Sequence, residues 1–560
     1  MMWNTSKLSI IVRSMEWDLR DLLRVRPFKT SSKRSYQERH SSVWGIFPPN
    51  SALPNLSLSL MVSNLKITLR SVRNLSTRVV SVFGIVLSQS IPDRIPSLQE
   101  NIYSFEARNF NVFTVERHVS PDAFGQNALN CVIERCFDQA KLERVISDSV
   151  NLRYVELVDW VKNRDLAILR KVDGDMANIN NWRDYMSYFK LMVKREAKVK
   201  LDSSAFSKHN PAQNIVFHVK FINAVYGPMF RTLVKRVRLC LLPNIFMYTE
   251  MTSDDFSKKL YSLLGGIDTY YKGEIDFSKF DKSQDFFCKN YELKLYSLLG
   301  LDAEFLELWG VSEYYCRARS IHNDLSFETY GQRRSGTANT FFGNCMITLM
   351  MLSLYYDLRK FRAVAVAGDD SILFSDVPVQ DYSDRMIRDN GFEAKFIRDQ
   401  PAYFCSRFIV FANDFIYFVP DPYKIIVKLG KPLSDVTISG LRERFISFKD
   451  YTKYLDLESV VYKLSLAVNI RYSIEGRYTY AAICSLHCIR ANFKRFREMY
   501  PYTLGVQETS MRRVIAVLKR FFPVLTRGRS DGDPWTFGLV SLKDLRSDVF
   551  DFSDGSSNFS

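Results

Sequence analysis

Ala363-Val-Ala-Val-Ala-Gly-Asp-Asp-Ser-Ile-Leu-Phe374 carries two short apolar runs joined at Gly368-Asp369-Asp370-Ser371. Gly-Asp between two strand-forming runs predicts a β-hairpin with two carboxylates at its tip. Adjacent carboxylates repel, and burial sharpens the repulsion, so such a tip is stabilised by a cation beside it. Oxygen ligands suit Mg²⁺ or Mn²⁺, and Mg²⁺ commonly takes one or two carboxylates plus substrate phosphates. An Asp-Asp turn also caps ordinary surface hairpins, so its meaning depends on the rest of the chain.

At 560 residues the chain exceeds one ordinary domain and can build a large core. Its formal net charge of +16 points to a polyanionic partner, with plain solubility as the alternative. Nine cysteines without framework spacing suit a reducing compartment rather than a disulfide scaffold. Cys484, His487 and Cys488 would share a helix face, but a structural zinc needs a fourth ligand, so the group reads as helix packing. Charged and polar residues interrupt every early apolar run, which excludes a signal-peptide pattern. Thr340 to Leu358 is the longest apolar stretch; it contains Asn344 and flanks the hairpin, so a buried core helix is expected rather than a membrane span. Val79 to Leu87 is too short to span, and no membrane anchor is expected in the chain itself.

Residues 1–97 are rich in Ser, Arg and Leu, show no assignable period, and read as an N-terminal extension. Mixed α/β patterning follows from 98 to 265, with helices predicted over Asn127 to Ile146 and Trp182 to Met192. The basic run from Lys190 to Lys200 would place Lys198 and Lys200 on one face of a strand, with Lys194 and Arg195 beside them, suited to triphosphate or RNA-backbone contacts. Gly273-Glu-Ile-Asp276-Phe-Ser-Lys-Phe-Asp281 is a strand running into a turn, with Asp276 at the strand end, where a rigid sheet can present a metal ligand. A helix is expected from Asp285 to Leu299. Gly331-Gln-Arg-Arg-Ser335-Gly336-Thr-Ala-Asn-Thr340-Phe-Phe-Gly-Asn344 starts as a loop and enters the apolar helix, where Thr340 and Asn344 share a face. Beyond the hairpin come a helix over Asp384 to Asn390, an edge strand Phe392 to Phe396 bearing Lys395, and β-rich runs Tyr403 to Phe411 and Phe415 to Val419. From Leu441 to about 523 the pattern is helical, and the tail 527–560 is Gly/Ser/Asp-rich and reads as disordered.

In order these are a basic strand, Asp-x4-Asp, Ser-Gly-x3-Thr-x3-Asn, Gly-Asp-Asp, a lysine strand and Phe-Cys-Ser-Arg. The series resembles palm motifs F, A, B, C, D and E of viral RNA-dependent RNA polymerases. Asp276-Phe-Ser-Lys-Phe-Asp-Lys-Ser-Gln284, the Gly331 to Thr340 stretch, Met351-Leu-Ser-Leu-Tyr-Tyr-Asp357 and Phe217 to Pro228 resemble the alphavirus-like supergroup of positive-strand plant viruses, closest to closterovirus polymerases. The resemblance covers roughly 98 to 520. Two positions depart from the usual wording: Ala367 before Gly-Asp-Asp, and Cys345 after Asn344 where Thr is usual.

The resemblance implies an α+β right-hand polymerase fold: fingers over 98–265 with an insertion near 286–334, a palm over 266–439 built on an antiparallel sheet flanked by helices, and a helical thumb over 440–526. It implies two Mg²⁺ or Mn²⁺ ions at Asp276, Asp369 and Asp370, with Lys395 as general acid. Asp281 and Asn344, aided by Ser335, Gly336 and Thr340, would recognise the ribose 2′-hydroxyl. Lys194, Lys198 and Lys200 would line the path of the incoming NTP, and Phe404, Cys405, Ser406 and Arg407 would grip the primer. The implied partners are template and nascent RNA, NTPs and a viral methyltransferase-helicase replicase protein, joined in relatives by ribosomal frameshifting. The implied setting is the host cytoplasm, at membrane-associated replication complexes reached through partners. A reverse transcriptase shares the two-metal palm but not a ribose-reading pair, and a non-catalytic basic RNA-binding protein would have no use for the three aspartates.

Overall fold

A computed structural model describes residues 98–109, 115–146, 148–178, 182–194, 211–321, 325–429 and 437–500, with short upstream strands β1 (Ser9–Ile11), β2 (Ser57–Leu58), β3 (Val79–Val82) and β4 (Val86–Gln89). Lys198, Lys200, Arg195 and the 527–560 tail lie outside the described residues. The strands then run β5 (Tyr188–Val193), β6 (Asn214–Phe217), β7 (Ile245–Met247), β8 (Tyr271–Phe277), β9 (Tyr315–Ser320), β10 (Ser326–Tyr330), β11 (Ala363–Ala367), β12 (Asp370–Ser375), β13 (Ala394–Arg398), β14 (Tyr403–Phe404), β15 (Arg407–Ala412) and β16 (Phe415–Pro420).

The central sheet has the order β13-β8-β12-β11-β7. It is antiparallel except at one edge, where β7 pairs parallel to β11, a departure from the all-antiparallel expectation. The reason lies in burial. Val364, Val366 and Leu373 join one core with Met346 and Met350 of the Thr340–Tyr355 helix, while Ala363, Ala365, Ile372 and Phe374 join another with Phe256 and Leu260 of the Ser253–Leu264 helix. Strands covered on both faces are apolar throughout, which explains the unbroken hydrophobicity on either side of Gly-Asp-Asp. The predicted buried helix holds, ending at Tyr355 rather than Leu358.

A second sheet, β2-β1-β10-β9-β5-β6, joins strands from either side of the central one. Here the helix expected over Trp182 to Met192 is corrected: Trp182–Tyr185 forms one 3₁₀ turn, and β5 follows. Phe189, Leu191 and Val193 are buried while Tyr188 and Lys190 are exposed, and this period of two overrides the apolar spacing that imitates a helix. The span Asn127 to Ile146 divides at Phe137 into helices Pro121–Cys136 and Gln139–Val145, because Asp138 captures the Lys141 N–H and caps a new helix. The run Tyr403 to Phe411 likewise splits into β14 and β15 about a tight turn.

The three-stranded sheet β14-β15-β16 lies between two cores. Phe408, Val410 and Ala412 face helices Glu458–Tyr472 and Gly476–Ala491 through Leu464, Val468 and Leu486, whereas Ile409 faces Phe256 and Leu260. Cys484 and Cys488 sit half-buried on the Gly476–Ala491 helix, and His487 pairs with Asp456 at 3.2 Å, in keeping with helix packing. No helix among the described residues is long and apolar enough to cross a membrane.

Beneath the Gly331–Asn339 loop lies a fully buried charge cluster. Lys289 pairs with Glu292 at 2.9 Å and Glu313 at 2.8 Å, while Arg333 pairs with Glu292. Tyr296, Trp309 and Asn339 supply further hydrogen bonds at 2.9, 3.0 and 2.8 Å to these two carboxylates. A Cβ at Gly343 would lie 2.3 Å from Glu292 Oε1 and 2.5 Å from an Arg333 nitrogen. Gly→Ala inside a helix ordinarily stabilises by about 0.5–1 kcal/mol. Gly343→Ala is expected to destabilise instead, by about 1–3 kcal/mol, measured as a lowered midpoint of chemical unfolding.

Candidate active site

β11 and β12 meet in a two-residue turn of Gly368 and Asp369, with Ala367 opposite Asp370. Gly368 has φ +65°, and glycine at the first central position of a two-residue hairpin avoids the Cβ clash of that conformation. The turn is held from beneath: Thr348 Oγ1 donates to the Gly368 carbonyl at 2.7 Å, and Gly368 N–H donates to Cys345 Sγ at 3.1 Å. Cys345 thus supplies a sulfur acceptor beneath the turn, and burial pushes its thiol up to about 12.

Register brings the acidic residues together. Asp370 lies opposite Asp276 on β8, and Asp276 lies opposite Lys395 on β13, so the three stand in a row on one face of the sheet. Burial, with Asp369, Asp276 and Glu274 nearby, pushes the Asp370 carboxyl up to about 6. That is a concentration of negative charge that a divalent cation would neutralise, and the oxygen donors of Asp276, Asp369 and Asp370 suit a hard one. Among the described residues no group of three His, Cys, Asp or Glu side chains is arranged to hold a metal ion by itself.

Past β8, Lys279 adopts φ 55° and turns the chain into the short helix Phe280–Ser283. This brings Asp281 against the Thr340–Tyr355 helix, where Asn344 Nδ2 donates to its carboxylate at 2.9 Å. Asn344 Oδ1 accepts from Gln284 Nε2 at 2.9 Å, and Gln284 Oε1 accepts from Arg333 Nε at 2.8 Å. The other small polar residues of the loop are engaged by backbone. Ser335 Oγ donates to the Asn214 carbonyl at 2.9 Å, Gly336 N–H donates to Val216 at 2.9 Å, and Thr340 Oγ1 donates to the Arg334 carbonyl at 2.9 Å. A Cβ at Gly336 would meet Phe217 at 2.6 Å, so the loop lies flat on β6. Ser335 and Thr340 thus shape the loop, and Asn344 alone of the three hydroxyl and amide groups joins Asp281.

The hairpin β14–β15 approaches from the other side. Cys405 and Ser406 form its turn with φ 49° and 62°, both left-handed, and the Cys405 thiol faces Asp370. Phe404 is core, stacked on Phe256 at 5.7 Å; Arg407 lies over the Tyr451 ring at 4.6 Å; Lys424 donates to Ser406 Oγ at 2.9 Å. Lys194 is exposed just past the end of β5.

Sequence reasoning passes over Gln284, Arg333, Glu292, Glu313 and one further pair. Arg471 donates through both terminal nitrogens to Glu274 at 2.8 Å each, with its guanidinium 3.8 Å from the Tyr403 ring centre. This ties the Glu458–Tyr472 helix to β8 two residues before Asp276. The available signal was charge inside otherwise apolar helices, at Lys289 and Glu292, and a carboxylate two residues from Asp276.

The profile described as RNA dependent RNA polymerase matches residues 56–499. The chain belongs to this RNA-dependent RNA polymerase family. It is 44% identical over 420 residues to replicase polyprotein 1ab of Beet yellows virus, matching 75% of this chain and 14% of that protein. It is 32% identical over 415 residues to replicase polyprotein 1ab of Grapevine leafroll-associated virus 3, covering 74% and 15% of the two chains. A protein of Raspberry bushy dwarf virus named methyltransferase/helicase/RNA-directed RNA polymerase is 28% identical over 417 residues, covering 73% of this chain and 24% of its own length. The chain thus spans a minor part of each of these relatives, and the resemblance to closterovirus and other alphavirus-like replicases holds.

The support beneath the Gly-Asp-Asp turn has a measurable consequence. Thr348→Val removes the hydroxyl from the buried Gly368 carbonyl and is expected to destabilise by about 1–3 kcal/mol, checked by denaturant unfolding.

Proposed function

We propose that the chain is the polymerase module of a positive-strand RNA virus replicase, joining NMP units from NTPs to an RNA 3′ end on an RNA template. The observation that carries this reading is the row Lys395, Asp276 and Asp370, with Asp369 in the adjoining turn and the Asp281–Asn344 pair nearby. Asp276, Asp369 and Asp370 would hold the divalent metals, two Mg²⁺ or Mn²⁺ ions. When bound, such ions would lower the barrier by stabilising the attacking and leaving oxygens of an in-line displacement.

The chain's own groups do the rest. Lys395, exposed and one strand from Asp276, would protonate a departing pyrophosphate oxygen, a role that this register supports. Asp281 and Asn344 form a polar pair able to hydrogen-bond a 2′-hydroxyl, and a site built for that contact disfavours a sugar lacking it. Lys194, Lys198 and Lys200 would draw in the triphosphate, and the hairpin carrying Cys405 and Ser406 would steady the primer end.

In this reading residues 98–265, with 286–334, are fingers, a grouping supported by the sheet that joins β5 and β6 to β9 and β10. The remainder of 266–439 is palm and 440–526 is thumb, a reading supported by the helices Ile438–Tyr451, Glu458–Tyr472 and Gly476–Ala491, with 501–526 outside the described residues. The module would work with a methyltransferase-helicase partner, as the name of the Raspberry bushy dwarf virus relative suggests, in membrane-associated complexes of the host cytoplasm reached through that partner. A basic surface would grip RNA by its backbone, consistent with the +16 charge.

Asp369→Ala is expected to abolish Mg²⁺-dependent incorporation of labelled NMP on an RNA template; a wild-type rate in that variant overturns the assignment. Asn344→Ala is expected to keep measurable synthesis while narrowing the preference for rNTP over dNTP, read from paired kcat/KM values. Unchanged preference in an active Asn344→Ala enzyme removes the sugar-reading role.

A further inference from the structure

We infer that Gln284 is a specificity-determining positioning residue: it sets which way the Asn344 amide faces, and so which of its atoms is offered to the sugar. The inference rests on the proposed sugar-reading role of Asn344.

An amide group alone has no preferred orientation, because exchanging its oxygen and nitrogen leaves its shape nearly unchanged while reversing its hydrogen-bonding sense. Here the sense is imposed from both ends. Arg333 can only donate, so its Nε–H requires the oxygen of Gln284, at 2.8 Å. That turns the Gln284 NH₂ toward Asn344, whose oxygen accepts it at 2.9 Å. The Asn344 NH₂ is left facing the Asp281 carboxylate, an acceptor, at 2.9 Å. Each link admits one polarity, so the chain Arg333 → Gln284 → Asn344 → Asp281 runs in a single direction.

Water cannot easily substitute for a link. Gln284 is 1% exposed, Arg333 4% and Asn344 9%. Arg333 is held in turn by Glu292, beside a Gly343 that leaves no room for rearrangement. With its oxygen occupied by Gln284 and one N–H by Asp281, Asn344 has its second N–H left, a donor suited to the oxygen of a 2′-hydroxyl. Asp281 keeps acceptor capacity for the hydroxyl proton. Deoxyribose satisfies neither group.

The test is Gln284→Glu. Glutamate keeps the shape and still accepts from Arg333, but it has no proton for Asn344 in its ionised form. Asn344 then gains by turning its NH₂ toward residue 284, which points its oxygen at Asp281 and breaks the pair. The ratio of kcat/KM for rNTP to that for dNTP is expected to fall about tenfold, the worth of one hydrogen bond, with KM for rNTP rising and primer-template affinity unchanged. Gln284→Met, isosteric and apolar, leaves the Asp281 carboxylate to hold the Asn344 NH₂ and should give a smaller fall than Gln284→Glu, and both variants are compared with Asn344→Ala at matched folded fraction. If Asn344→Ala lowers the ratio and neither Gln284 variant does, the positioning role is wrong and the sugar-reading site stands. If all three leave the ratio at the wild-type value, the sugar-reading role falls and this inference with it. A loss of rate alone, at constant ratio, also overturns it, since a purely structural residue would give that result.

Discussion

A charge placed in a protein interior must be matched, and the cluster of Lys289, Glu292, Glu313, Arg333 and Arg334 meets that constraint beneath the Gly331–Asn339 loop. Burial alone would raise the Glu313 carboxyl, but Lys289, Arg333 and Arg334 outweigh it and hold the group well below the ordinary carboxylate range. The cluster has three cations for two carboxylates; Arg334 lies 5.4 Å from the Phe189 ring, whose face offsets part of the excess. Net stability from such a cluster is small, because desolvation cancels much of the attraction. Its contribution is direction: apolar packing accepts several rotations of a loop, whereas these ion pairs accept one arrangement. The two helices Phe286–Leu298 and Ala303–Tyr314 thereby position a loop that belongs, in sequence, to the next element.

The carboxylates face the opposite problem, since like charges stand side by side there. Asp276 and Asp370 stay adjacent because their strands are bound by other forces: two cores press on alternate residues of β11 and β12, and the turn between them is tied by Thr348 and Cys345. Hydrophobic burial thus holds like charges together at a place where electrostatics alone would separate them, and the raised Asp370 carboxyl records the cost. The Arg471–Glu274 pair offsets part of a further negative charge on the same face and fastens the Glu458–Tyr472 helix to it. Strand, hairpin and helix therefore share a single reference point at β8.

Much of this was legible. The placing of Asp276 near a strand end, Asp369 and Asp370 at a hairpin tip and Lys395 on an edge strand was legible because strand alternation and turn chemistry act over a few residues. Ser335 and Thr340 illustrate the limit. Their spacing with Asn344 suggested three groups with one target, but hydroxyls bond whatever carbonyl lies closest, and here those carbonyls belong to Asn214 and Arg334. The segment Trp182 to Met192 was misread as helix because apolar spacing in a short aromatic stretch fits both periods, and pairing with β6 and β9 chose the strand.

The sequence by itself determined the family, the order of the motifs, the buried helix and the acidic hairpin, because each is written in contiguous residues whose chemistry acts locally. Only the tertiary structure decided which side chains converge. Glu274 meets Arg471 across 197 residues, and Arg333 reaches Asn344 through Gln284 across gaps of 49 and 60. Such contacts carry no periodic signal, since they arise from the packing of separately formed elements, and a buried polar group takes as its partner whatever that packing places within reach.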